Sequence, residues 1–406
     1  MITGPRRRIG RFEVTVLLAM SMALGALGID LMLPAFDAMR ADLGLAADSN
    51  AIAATITMYF FGLALGTFIY GPLADRYGRR RALFISYAIY GVGGAASALA
   101  PSLEVLLAVR FLWGVGAAGS RVVTLAVIRD AYDGEEMSRA MSHVFAVFVL
   151  VPIVAPTLGA SIVAVSSWRW VFGFCVLYAV GIALWTMRLP ETLHVEYRLE
   201  ARLARLVEAG RVVLSNRVAV GYGLAMTALY SVFIGYLGSS EIIFGEVFGQ
   251  DANFPYIFGG LAAVMGLAML VNARIVRSVG TRRLAHRVLI GYLLAAAGFA
   301  TYAWSTGGRP PLGLFLLALG TMFVCHALLI PNLNSIAMEP MARVAGTASS
   351  IMGAAQLGLG ALLGSFIDRA FDGTILPLAL GFAAYGLIAF ALILWAEGGR
   401  LRLKTR

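Results

Sequence analysis

Apolar residues run along this chain in long blocks, and the polar positions gather in short clusters between them. A helix needs roughly 20 residues, at about 1.5 Å each, to cross about 30 Å of hydrocarbon, and blocks of that length recur. They predict twelve transmembrane helices, over 14–36, 51–70, 82–100, 103–128, 141–164 and 169–188, then 218–238, 254–273, 287–306, 312–331, 345–367 and 375–395. Between the blocks, stretches such as "ADSN", "GPLADRYGRRRA", "DGEEMSR" and "TGGRPP" replace the apolar run with charges and turn formers. Backbone groups in lipid find no water, so each span must satisfy its own N–H and C=O groups, and the fold class expected is all-α integral membrane.

Composition agrees: of 406 residues, 60% are hydrophobic and 13% charged, a balance that excludes a soluble domain with a charged surface. A break after the sixth span divides the chain. The segment "PETLHVEYRLEARLARLVEAGRVVLSNR" has Leu199, Leu203 and Leu206 at helical spacing, with Arg198, Arg202 and Arg205 among them. It is expected to form an amphipathic helix on the inner membrane face. The domains expected are therefore a six-helix bundle over 1–189, a linker over 190–217 and a second six-helix bundle over 218–406. The halves echo each other: "GPLADRYGRRRA" follows the second span and "NARIVRSVGTRRLA" the eighth, which sets Gly78 and Gly280 at matching places. Twelve helices alone also suit a channel or a membrane enzyme. Parallel six-helix repeats favour a transporter, with its substrate site at the repeat interface near mid-membrane.

Charge sets orientation. With both termini in the cytoplasm, 26 of the 32 Lys and Arg residues fall on the cytoplasmic side, and Arg40, Arg169, Arg309 and Arg369 fall outside. The net charge of +10 then reports topology and attraction to anionic lipid, not nucleic acid. The first span follows a basic segment, as in a cleaved signal peptide, but its apolar run is longer and eleven more spans follow. Cys175 and Cys325 have no metal or redox spacing and read as buried small hydrophobes. No clustered metal ligands, phosphate loop or nucleophile with its base is found, so neither an enzyme nor a metal or cofactor is expected.

Charges inside the spans carry the candidate chemistry, because an arginine at the bilayer centre costs roughly 2.5–3.5 kcal/mol. Asp30 is the only charged residue of the first span; burial penalises its ionised form, which suits proton exchange. A structural, hydrogen-bonded aspartate is the alternative. Arg110 enters the fourth span to nearly the same depth, so the two could meet, and separating them would then favour protonation; a purely structural ion pair is the alternative. Arg121 lies eleven positions on, about 20° away around the helix, on the face expected to line the cavity. There it would favour carboxylate-bearing substrates; otherwise its side chain snorkels to the interface. Gly114, Gly116, Ala117, Ala118 and Gly119 between them permit close approach of a neighbouring helix or a substrate.

Other positions suggest mechanics. Gly71 and Gly78 are expected to allow tight packing, Pro72 to start a turn, and Asp75 to cap a helix or pair with Arg79 or Arg80. Pro152 and Pro156, followed by Gly159, make a hinge plausible in the fifth span. Tyr59, Tyr230, His326, Asn332 and Gln356 are candidates to line the central cavity, and each could equally join two helices. Glu241 and Glu246 read as solvated charges near the outer end of the seventh span.

Six stretches in order carry a family likeness: "IDLMLPA", "GPLADRYGRR", "RFLWG", "VPIVAPTLGA", "LPET" and "NARIVR", joined by "AGTASSIMGAAQLGLGALLG" in span eleven. Together they resemble the major facilitator superfamily, and within it the bicyclomycin and chloramphenicol resistance branch of twelve-helix drug/proton antiporters. The resemblance implies two six-helix bundles and proton-driven export of small molecules by alternating access from a bacterial inner membrane. It implies proton coupling for Asp30 and Arg110, and a gate latch at Gly71, Asp75, Arg76, Gly78 and Arg79 that clamps the other bundle in the outward-facing state. The fifth span resembles the family's antiporter motif, departing from it at Ala155 and at Gly159–Ala160. The position one turn before Asp30 is Ala26, not the second acid that some relatives carry. Glu241 stands where the family suggests proline, and Arg121 is outside the family motif. The partners implied are a small-molecule substrate, protons and the lipid bilayer, with the protein a monomer. A metabolite importer or uniporter, and a non-transporting receptor or assembly factor, are the alternatives.

Overall fold

The computed structural model describes residues 9–193 and 203–401. The chain divides into two compact units, Met1–Arg202 and Leu203–Arg406. In the first lie α1 (Arg11–Asp30), α2 (Phe36–Asp42), α3 (Ala54–Tyr77), α4 (Arg79–Ala98), α5 (Leu103–Ala131), α6 (Gly134–Val165) and α7 (Arg169–Thr186). In the second lie α8 (Leu203–Ser215), α9 (Arg217–Ile242), α10 (Phe254–Val279), α11 (Thr281–Ser305), α12 (Leu312–Met338), α13 (Ala345–Arg369) and α14 (Leu376–Ala396). Twelve of these are long helices, six to a unit; α2 and α8 are short.

Among the described residues, eleven candidate spans are long and apolar enough to cross a membrane. The remaining long helix, α4, occupies the third predicted span, but Arg79 to Arg81, Ser86, Tyr87, Tyr90 and Ser97 lower its hydropathy. One face of it packs along α5 and α7, and Ile85 and Val92 are exposed on another.

Helix ends depart from the sequence expectation where tertiary contacts decide them. The first span is not one helix. α1 stops at Asp30, a 3-10 turn follows at Leu33–Ala35 around Pro34, and α2 completes the crossing. Pro72 does not start a turn: α3 runs through it to Tyr77, and Gly78 makes the break instead. A proline inside a span is tolerated where neighbouring helices resolve the lost backbone bond. Gly71 has open space around it, so no close packing requires a glycine there. The "DGEEMSR" stretch is mostly helix as well. α6 begins at Gly134, with Glu135 and Glu136 in its first turn, where their charge complements the helix dipole.

Of the amphipathic segment, Arg198, Leu199 and Arg202 lie outside the described residues. Its described part is α8, which packs against α9 and α13 of its own unit.

In the first unit α3 and α4 both pack along α5, and α1 lies against α5, α6 and α7. Small residues bring the backbones together: a Cβ on Gly62 would collide with the Phe111 carbonyl, one on Gly114 with that of Tyr59, and one on Gly116 with the Tyr90 amide. The start of α1 is tied to the end of α7, where Arg188 and Trp185 reach the Glu13 carboxylate at 2.7 and 3.0 Å. In the second unit α9 is the central helix, flanked by α12, α13 and α14.

The matching loops show the repeat as local geometry. Gly78 joins α3 to α4 with φ 99° and ψ 154°, and Gly280 joins α10 to α11 with φ 86° and ψ 144°. Both conformations are left-handed and open to glycine almost alone.

Candidate functional site

The break after α1 creates the central feature of the first unit. Leu31 donates to the Leu27 carbonyl, and Met32 steps back to that of Ile29 at 3.3 Å, so the helical ladder passes over the Gly28 carbonyl. Arg110 takes it. Its Nη1 donates to the Gly28 oxygen at 2.8 Å, and its Nε to the Thr55 oxygen of α3 at 3.3 Å. Tyr59 and Trp113 enclose the guanidinium, which lies 4.4 and 4.9 Å from their ring centroids. Arg110 is 0% exposed. It is a cationic cap on the carbonyl end of α1, where the helix dipole is negative.

Asp30 is the last residue of that helix and 5% exposed. Among the described residues no ion pair joins it to Arg110, so the pairing suggested by their depths is not formed; the guanidinium is committed to backbone oxygens and aromatic faces. Asp30 and Arg110 share a neighbourhood through Tyr59, whose hydroxyl donates to the Gly25 oxygen at 3.0 Å and whose ring lies over Gly28. From the other side α6 reaches the same break: a Cβ on Gly159 would strike the Leu31 carbonyl oxygen. Pro156, one turn earlier, is also buried, and Pro152 is half-buried, so the proline-bearing stretch of α6 runs along the broken end of α1.

Arg121 is placed differently from Arg110. Between them Trp113, Gly114 and the run from Gly116 to Ser120 are buried, whereas Arg121 is exposed. Tyr59, a cavity-lining candidate by sequence, is 0% exposed and serves Arg110 instead.

At the α3–α4 turn, Asp75 pairs with Arg79, which also reaches the Asp130 carboxylate of α5 at 2.8 Å. Arg76 is exposed and lies over the Tyr77 ring. Glu191 completes the turn, accepting from the amides of Arg79 at 2.8 Å and Arg80 at 3.2 Å, so it caps the start of α4. The Glu191 carboxylate occupies the place a Cβ on Gly78 would need.

In the second unit Tyr230 and Phe233 of α9 are half-buried, and His326 of α12 stacks on both, at centroid distances of 6.1 and 5.3 Å. Asn332 is buried and donates to Asn272 Oδ1 of α10 at 2.9 Å, a helix-to-helix bond. Gln356 is half-buried on α13. Glu241 is not a solvated loop charge: α9 continues to Ile242, and the side chain is buried with that last turn. Glu246 is exposed. Asp368 of α13 is buried too, its carboxylate lying where Gly238 of α9 has no side chain.

Sequence reasoning missed Trp113, Asp130, Glu191, Phe233 and Asp368. Trp113 carried a local signal, since it follows Arg110 by three residues and shares its helix face. The others depend on contacts between distant segments.

The sequence profile of the Major Facilitator Superfamily matches residues 18–365. A bicyclomycin resistance protein homolog from Haemophilus influenzae is 26% identical over 89% of this chain and 90% of its own. A chloramphenicol resistance protein from Pseudomonas aeruginosa is 28% identical over 92% of this chain and 90% of its own. The crystal structure of a D-xylose-proton symporter superposes with a TM-score of 0.75 at 13% identity, covering 96% of this chain and 99% of that one, a likeness of fold alone.

Proposed function

The chain belongs to the Major Facilitator Superfamily, and on that premise we propose that it is a proton-coupled exporter of small molecules working by alternating access. The observation that carries the reading is Asp30, a buried carboxylate with no ion pair among the described residues, on the last turn of a helix broken at that point. An ionised carboxylate held away from water costs free energy that protonation removes, so loading a proton changes the balance of forces at the break. Arg110 positions the break by holding the Gly28 carbonyl, and Gly159 lets α6 follow it. Asp75, Arg76, Gly78 and Arg79 act as the gate latch, with Pro152, Pro156 and Gly159 as the flexible stretch of α6. Arg121, Tyr230, His326 and Gln356 contact substrate, Arg121 favouring carboxylate groups; Tyr59 and Asn332 act there by holding the helices that carry the site.

The bundles proposed are 1–189 and 218–406, joined by the linker 190–217. The distribution of basic residues supports both termini in the cytoplasm of a bacterium, with the chain in its inner membrane. Two repeats in one chain provide both halves of a rocking transporter, which supports a monomer as the working unit. The relatives named for drug resistance support export as the direction.

Proteoliposomes test the direction. With the lumen acidified, a non-titrating compound such as chloramphenicol accumulates in the acid lumen beyond the level in protein-free vesicles, because protons leaving drive substrate inward. Accumulation in an alkaline lumen instead identifies a symporter and overturns the proposal.

A further inference from the structure

The α10–α11 turn of the second unit repeats the backbone of the α3–α4 turn and reverses its charge. Three residues before Gly78 stands Asp75, which pairs with Arg79; three residues before Gly280 stands Arg277. Where the Glu191 carboxylate sits beside Gly78, Gly280 has open space. Arg274 and Arg277 are exposed and Arg283 is half-buried, and among the described residues none of the three makes an ion pair. The Glu339 and Glu397 carboxylates at that end engage Arg282 instead, at 2.7 Å each. Acids of the first unit thus reach into its turn, whereas the second unit leaves three cations there without one.

The helix that carries two of these cations shows what they face. α10 packs on α12 along one side and exposes a stripe along its length, formed at helical spacing by Tyr256, Val264, Leu267, Leu270, Arg274 and Arg277. Leu267 and Leu270 are 63% and 70% exposed, and no polar side chain interrupts the stripe between Tyr256 and Arg274. A water-filled cavity wall would carry polar groups; an unbroken apolar face suits acyl chains. From Tyr256 to Arg274 the helix covers about 27 Å, close to the roughly 30 Å of a hydrocarbon core, with an aromatic ring at one boundary and guanidinium groups at the other. Arg274 and Arg277 therefore lie at headgroup level, and Arg283 follows on the first turn of α11, just beyond the glycine.

We propose that Arg274, Arg277 and Arg283 form a docking site for the headgroup of an anionic phospholipid, whose acyl chains lie along Leu267 and Leu270. On the orientation given above, the lipid belongs to the cytoplasmic leaflet. The proposal requires a chain that spans a bilayer and is independent of the direction of transport. Guanidinium groups offer paired planar donors to phosphate oxygens. A headgroup with net negative charge gains from all three arginines, whereas a zwitterionic one brings its own cation and gains less. General attraction between a basic face and lipid would let any exposed arginine serve equally; a docking site makes these three count for more than others.

Titration of the purified protein in neutral detergent with phosphatidylglycerol or phosphatidylcholine of the same acyl chains, with bound lipid counted by native mass spectrometry, tests this without any proton gradient. Phosphatidylglycerol is expected to bind about 10-fold more tightly than phosphatidylcholine. Replacing all three residues (Arg274→Gln, Arg277→Gln and Arg283→Gln) is expected to remove that preference, and the three changes to lysine to retain most of it. The single variants Arg274→Gln and Arg277→Gln, each expected to lose about 3-fold, carry the same test with one exposed side chain changed. As a control of equal charge, Arg81→Gln, Arg129→Gln and Arg211→Gln together remove three exposed arginines elsewhere and should leave the preference in place. Inorganic phosphate at the lipid concentration should not displace the lipid, since it has no acyl chain to lay along α10. Equal affinity of the wild type for the two lipids overturns the proposal, as does an equal loss in the control variant; displacement by inorganic phosphate identifies a free-anion site and overturns the lipid assignment.

Discussion

The fourth long helix of each unit carries a nitrogen-bearing side chain into an aromatic setting, and the two settings are built to opposite ends. On α5, Arg110 is 0% exposed, its guanidinium fixed by two carbonyls and enclosed by Tyr59 and Trp113. On α12, His326 stacks on Tyr230 and Phe233, which are half-buried. A permanent cation in a low-dielectric interior needs acceptors and ring faces around it; Nε and Nη1 of Arg110 have carbonyl acceptors, whereas Nη2 is buried without a hydrogen-bond partner. The same helix position in the two units thus carries two different aromatic settings, one closed over a guanidinium and one stacked on an imidazole.

The turns repeat the lesson on a smaller scale. Gly78 and Gly280 have almost the same backbone conformation, yet only Gly78 has a carboxylate seated beside it, that of Glu191; around Gly280 the space is open. The backbone requirement is shared, and the acidic cap belongs to one unit.

The largest effect should come from truncating the two shells. Tyr59→Ala is expected to destabilise the protein by about 3–5 kcal/mol, as for a fully buried aromatic, and Tyr230→Ala by no more than about 1.5 kcal/mol. Thermal unfolding in detergent compares them, and equal losses would break the contrast between the fully buried and the half-buried setting. Arg110→Lys keeps the charge but not the fork, and should cost about 1.5–3 kcal/mol in the same assay, while His326→Gln costs about 1 kcal/mol or less. For the turns, Glu191→Gln is expected to weaken the α4 cap by about 0.5–2 kcal/mol. Gly78→Ala should exceed Gly280→Ala by a similar margin, because strain is common to both and the displaced cap is not. Arg121→Ala should have the smallest effect on stability, within about 0.5 kcal/mol, and lower affinity for carboxylate-bearing substrates about 10-fold relative to neutral ones. A uniform loss across substrates would remove its recognition role.

The existence of the spans was legible because lipid enforces an uninterrupted apolar length, and Asp30 and Arg110 stood out because each breaks that rule. Helix ends were less legible. Whether Pro72 ends a helix depends on what neighbours supply, and the start of α6 at Gly134 depends on a first-turn charge pattern outside the hydrocarbon. The role of Arg110 was hidden for a different reason: its acceptor is a backbone oxygen, and no side chain marks Gly28 as that partner. Glu241 shows the same limit, since its burial follows from α9 continuing one turn further than hydropathy suggests.

Replacing Asp30 by asparagine tests the central claim most directly, because it keeps the shape and removes the proton site. With Asp30→Asn in proteoliposomes, substrate binding and downhill exchange should persist, while accumulation driven by an acid lumen falls to the level of protein-free vesicles. Accumulation in that variant with the wild-type dependence on pH would contradict the account.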